Sequence, residues 1–106
     1  MELGTFSFSL AVKDIQTSLA FYAKLGFHII GGEAEQNWLI LQNGNTQIGL
    51  FQGMFEENIL TWNPKDLAPI KETLHANAVK LVHENDKHVM FRDPDGNLIL
   101  IDQHKA

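Results

Sequence analysis

The chain repeats one element pattern at a spacing of about 50 residues, and this repeat limits its fold more than any other feature. The repeat lies in element order rather than in residue identity. In the first half, Phe6, Phe8, Leu10 and Val12 alternate with Ser7, Ser9 and Ala11, which predicts a strand over residues 6–12 with one buried face. Asp14 offers a helix N-cap, and Ile15, Leu19, Tyr22 and Ala23 follow at helical spacing. Gly26 stands where a left-handed residue ends such a helix. Short strands are predicted over 27–30, closed by Gly31-Gly32, and over 37–42. Asn43-Gly44 marks a hairpin turn, and 46–52 returns as a fourth strand.

The second half reads the same way. A connector over 53–56 leads to a strand over 58–62. Asp66 is the next N-cap candidate, Leu67, Ile70 and Leu74 mark a buried helical stripe, and Pro69 falls in the first turn, where its missing N–H does no harm. Strands follow over 79–84, 88–92 and 98–103, separated by the turns Asn85-Asp86-Lys87 and Asp93-Pro94-Asp95-Gly96. Asp14-Ile15 recurs as Asp66-Leu67, Gly44-Asn45 as Gly96-Asn97, and the strand end Phe51-Gln52 as Asp102-Gln103. Each half is β-α-β-β-β, an α+β pattern. No linker separates the halves, so the chain reads as one domain over 1–106, with modules at about 5–52 and 57–104.

Composition narrows the function. Hydrophobic residues make up 44% and charged residues 20%, enough for a packed core. The net charge of −5, with no basic run, argues against a nucleic-acid partner. The absence of cysteine excludes disulfides, thiolate metal sites and a cysteine nucleophile. Neither a signal-peptide pattern nor an apolar run of membrane-spanning length is present, so a soluble cytoplasmic protein is expected, with no membrane partner.

Val12-Lys13-Asp14-Ile15, then Ser18-Leu19-Ala20-Phe21-Tyr22 and Leu25-Gly26-Phe27, resemble a recurrent segment of the vicinal oxygen chelate superfamily, the glyoxalase/bleomycin-resistance/dioxygenase group. The tail Phe91-Arg92-Asp93-Pro94-Asp95-Gly96-Asn97-Leu98 is similar to that group's hairpin before its last strand. The resemblance implies paired modules that form a curved mixed sheet around a cavity, and a homodimer. It covers metal-dependent lyases, isomerases, dioxygenases and thiol transferases, and also metal-free proteins that sequester antibiotics, so it does not decide the reaction.

In that group, a His, Gln or Glu from the first and last strand of each module holds a divalent ion. Carried over, those positions fall near Ser7, at Gly49, at Glu57 or Asn58 and at Leu100. At most one of these is a good ligand, and catalytic zinc takes three protein ligands. A shift of one residue offers Phe6 or Phe8, Ile48 or Leu50, and Ile99 or Ile101. The expectation is therefore no metal cofactor.

Five histidines remain: His28, His75, His83, His88 and His104. His75 falls late in the second helix, where contact with the helix end is expected. His83 and His88 could meet across a hairpin. Asp102 and His104 lie two apart on the side of Leu100 and could supply a base or a substrate-binding pair. Arg92 could meet an acidic ligand or simply form a surface ion pair. No G-x-S-x-G nucleophile or phosphate loop occurs, and Gly31-Gly32 is read as lying between strands.

The expected lining of a ligand cavity is Ser7, Ser9, Trp38, Gly49, Phe51, Glu57, Trp62, Leu98, Leu100 and Asp102. That lining suits a small apolar or aromatic molecule with a few polar contacts. Two alternatives stay open: an enzyme using noncanonical metal ligands or acid–base residues, and a structural or regulatory subunit with a closed cavity.

Overall fold

The computed structural model describes residues 1–103. His104 lies outside the described residues. The order is β1 (Thr5–Val12), α1 (Ile15–Lys24), β2 (His28–Glu33), β3 (Trp38–Asn43), β4 (Thr46–Gln52), β5 (Ile59–Asn63), α2 (Ala68–Ala76), β6 (Leu81–Glu84), β7 (His88–Arg92) and β8 (Leu98–Asp102). A 3₁₀ turn at Ala34–Gln36, not foreseen in the sequence, joins β2 to β3. The fold is α+β, with β-α-β-β-β twice.

The chain forms two compact units. Among the described residues, the first holds 7–58 and the second holds 1–6 with 59–103. In the first unit the strand order is β2-β3-β4-β1, with β1 parallel to β4 and the other pairs antiparallel. In the second it is β6-β7-β8-β5, with β5 parallel to β8 and the other pairs antiparallel.

One face of each sheet packs on the unit's helix. In the first unit, Ile15 of α1 buries itself against Leu39, Leu41, Ile48 and Leu50. In the second, Leu67, Ile70 and Leu74 pack on Val89 and Ile101. Each such side chain contributes about 1.5–3 kcal/mol by leaving water.

Asp14 caps α1 as its position predicts: its side chain accepts from the Gln16 and Thr17 backbone N–H groups at 3.0 and 3.3 Å. At the other end, the Gly26 N–H donates to Ala23 O and the Phe27 N–H to Tyr22 O, with Gly26 at φ 93°. This paired reach closes the last carbonyls of the helix. The Tyr22 and Phe27 rings meet edge to face at 5.8 Å.

Several sequence expectations need correction. β2 does not stop before Gly31-Gly32 but runs through them; Gly32 adopts φ 81° and a register shift falls between Ile29 and Gly31. A side chain at Gly32 would meet Trp38 backbone at 2.6 Å, so glycine there admits close strand approach. The hairpin turn is Gly44-Asn45 rather than Asn43-Gly44, because Asn43 still pairs with Thr46. β6 starts at Leu81, not at 79, because the Val79 N–H closes α2 by donating to Leu74 O. α2 is capped differently from α1: Asp66 Oδ1 accepts from the Ala68 N–H at 3.2 Å, but the cap residue Leu67 has no side-chain cap. Its own N–H goes instead to Gln103 Oε1 at 2.9 Å.

β1 buries the wrong residues for a simple one-faced strand. Ser7 and Ser9 are 4% and 5% exposed, whereas Phe6 is 41% exposed. Phe8, Leu10 and Val12 do pack on the α1 core. The serines of β1 are thus buried along with apolar residues of its other face.

Candidate functional site

Strand register decides which predicted site residues share a face. In the first unit, Ser9 pairs with Gly49, and Gly49 with Ile40. The next row is Ala11, Phe51 and Trp38. Leu10, Leu50 and Leu39 lie between these rows, and Leu39 and Leu50 belong to the α1 core. By alternation, Ser7, Ser9, Gly49, Phe51 and Trp38 all stand on the face turned away from α1.

That face carries an aromatic strip. Trp38 and Phe51 stack with ring centroids 6.5 Å apart and planes 8° apart, and Phe55 sits 5.2 Å from Phe51. The Phe51 ring lies over Gly49: a Cβ added there would come 2.4 Å from Phe51 Cε2 and 3.3 Å from Ile40 Cδ1. Phe55 and Ile40 were missed from the sequence. Ile40 could have been found from the alternation of Trp38 and Ile40 with Leu39 and Leu41. Phe55 lies in a connector without periodicity and gives no such signal.

Polar groups on this face are unequal. Gln47 Nε2 donates to Gln42 Oε1 at 3.3 Å, and Gln42 Nε2 donates to Gly44 O at 2.9 Å. The buried Ser7 hydroxyl has no hydrogen-bond partner. A buried hydroxyl left unpaired is uncommon in folded proteins.

In the second unit, Thr61 pairs with Leu100, and Leu100 with Met90. Asp102 pairs with His88, and Leu98 with Arg92. Val89 and Ile101, in the intervening row, pack on α2. Leu98, Leu100 and Asp102 therefore share the face turned away from α2. Trp62 does not, which corrects its expected place. It pairs with Ile101 on the helix side, and its ring packs on Phe6 at 5.0 Å. Its neighbour Thr61 takes the opposite side, in register with Leu100.

The register of the fifth strand, open in the sequence, is also resolved. Glu57 and Asn58 both precede β5 and are exposed. Asn58 Oδ1 accepts from the Ala11 N–H at 2.9 Å. The first residues of β5 are Ile59 and Leu60, neither of which can ligate an ion.

The His83 and His88 rings do meet across their hairpin, 4.9 Å apart. His75 contacts Glu84 at 3.3 Å. Arg92 Nη1 donates to Gly96 O at 2.9 Å within its own hairpin. There, Asp93 accepts from Asn97 through both side chain and backbone, which lowers its pKa below the usual carboxylate value. A recess of about 710 Å³ at the start of α2, flanked by Gly4, Asn63, Pro64 and Ile70, is lined by none of the predicted site residues.

The positions that the resemblance assigns to a divalent ion do not fit one. Ser7 offers a neutral hydroxyl and Leu100 a hydrocarbon. Space at Gly49 is filled by the Phe51 ring. Glu57 and Asn58 stand outside the strand. Among the described residues no three His, Cys, Asp or Glu side chains come together in a way that could hold a metal.

No protein-family model matches the chain, and no curated protein matches it. Solved structures do. A glyoxalase/bleomycin resistance protein/dioxygenase superfamily member from Vibrio splendidus 12B01 aligns over 93% of this chain and 97% of its own, with TM-score 0.70 and 19% identity. A protein described as an NAD-dependent benzaldehyde dehydrogenase from Legionella pneumophila aligns over 94% and 99%, with TM-score 0.80 and 15% identity. Methylmalonyl-CoA epimerase from Mycobacterium tuberculosis aligns over 97% and 87%, with TM-score 0.68 and 17% identity. Such identities speak to architecture and not to reaction, and the three names differ in chemistry. With its repeated β-α-β-β-β units and these alignments, the chain has the fold of the glyoxalase/bleomycin resistance/dioxygenase superfamily.

Proposed function

We propose that the chain is a small-molecule-binding protein that takes up an apolar or aromatic molecule without a metal ion. The observation that carries this reading is the strip of Trp38, Phe51 and Phe55 on the helix-free face of the first unit, beside buried serines. Stacked rings give a flat apolar ligand a large contact area, and a few hydroxyls fix its orientation. The donor set argues against a Lewis-acid site, because hydroxyl, hydrogen and isobutyl groups stand where imidazole or carboxylate is required.

Thermal melting tests this. The protein is treated with EDTA and melted with a panel of aromatic compounds, then with Mn, Ni, Zn or Fe(II) alone. A ligand that binds only the folded chain adds about 2.7 kcal/mol at 100 times its Kd. The expected result is a rise in Tm with an aromatic compound and none with a metal. A rise that requires a divalent ion, or a cation held by three or more side chains in a crystal structure, overturns the reading.

A further inference from the structure

We infer that the ligand is a neutral aromatic molecule bearing one hydrogen-bonding group, a hydroxyl or carbonyl, and that the Ser7 hydroxyl anchors that group. The inference rests on the binding reading above and specifies its chemistry.

Ser7 is 4% exposed and its Oγ has no partner. The other polar side chains of this face differ: Gln42 and Gln47 are bonded to each other and to the Gly44 carbonyl, and Ser9 has a contact of its own. One hydroxyl is thus left to bond. A serine hydroxyl can donate to a carbonyl or accept from a phenolic O–H, so either group satisfies it.

Charge sets the second half of the inference. At the positions of β1, β3 and β4 that face away from α1 stand Ser7, Ser9 and Ala11, Trp38, Ile40 and Gln42, and Gln47, Gly49 and Phe51. None is charged. A carboxylate, phosphate or ammonium buried there would find no counter-ion at these positions. Glu33 on β2 pairs with Trp38, and its carboxylate further disfavours an anion. The aromatic half of the ligand follows from the strip over Gly49.

Three probes of one shape test this by calorimetry: 2-naphthol, 2-methylnaphthalene and 2-naphthoate. The wild-type chain is expected to bind 2-naphthol about five- to tenfold more tightly than 2-methylnaphthalene, the effect of one added hydrogen bond, and 2-naphthoate least of the three. Ser7→Ala should erase the preference for the hydroxyl and leave 2-methylnaphthalene unchanged. Without ligand, Ser7→Ala should melt no lower than wild type, since no bond is lost. A preference that survives Ser7→Ala, equal wild-type binding of the two neutral probes, or a clear fall in the melting temperature of ligand-free Ser7→Ala overturns the anchor. Tighter binding of 2-naphthoate overturns the neutral ligand. Failure of all three probes on the wild type overturns this ligand class and, if the wider aromatic panel fails as well, the binding reading itself.

Discussion

Gly26 and Ala78 occupy the same place in two copies of one helix ending, and only the glycine suits it. Each stands just past its helix with positive φ, 93° and 57°. Each is followed by a residue whose N–H reaches back into the last turn, Phe27 to Tyr22 O and Val79 to Leu74 O. A Cβ in left-handed backbone meets the following carbonyl, and glycine escapes that strain at some entropic cost. Ala78→Gly should therefore stabilise the chain by about 1 kcal/mol, a rise of several degrees in Tm for a protein of this size. Differential scanning calorimetry of the two proteins checks this, and an unchanged or lower Tm contradicts it. The same pair shows what can be read from residues alone. Gly26 announces a helix end because glycine is rare inside helices. Ala78 gives no signal, since alanine is the best helix former. Trp62 escaped a correct reading for another reason. Its side of the sheet depends on the register of β5 on β8, where Trp62 meets Ile101, and that register cannot be read from β5 alone.

At the scale of elements, the two modules share a device that ties each helix start to the end of its last strand. Gln52 Oε1 accepts from the Ile15 N–H, and Gln103 Oε1 accepts from the Leu67 N–H, both at 2.9 Å. The first N–H groups of a helix have no partner within it, so an amide oxygen from a neighbouring strand fills the gap. Gln52→Ala and Gln103→Ala should each cost about 1 kcal/mol, the worth of a typical hydrogen bond. Gln→Glu at either position should retain the stability, because a carboxylate also accepts and favours a helix N-terminus. Urea unfolding at neutral pH measures all four variants, and alanine variants as stable as wild type would remove the device. The sequence shows the two strand ends as repeats of each other, like the two aspartate starts, but not that their amides span 37 and 36 positions to reach those helices. Gly31-Gly32 misled for a related reason. Two glycines punctuate most strands, yet β2 continues because the bulge and the positive φ of Gly32 let it press against Trp38.

For the whole molecule, the question is whether the two units unfold together. Each has its own core: Leu39, Leu41 and Leu50 with Ile15 in one, Val89 and Ile101 with Ile70 in the other. Separate cores alone would permit separate melting. β1 argues against it, because that one strand supplies Thr5 and Phe6 to the second unit and residues 7–12 to the first. Disordering either unit frays a strand the other requires, and the second unit is itself assembled from two distant stretches of chain. Small domains usually unfold in one step when no part is stable alone. The expectation is a single calorimetric transition, with calorimetric and van't Hoff enthalpies in agreement. Leu50→Ala and Ile101→Ala sharpen the test, since both residues are fully buried and each substitution should cost about 2–5 kcal/mol. If the chain is one cooperative domain, both lower the same transition and neither splits it. If Leu50→Ala lowers one transition and leaves another where it was, the units are independent, and the aromatic face of the first unit could be studied apart from the second.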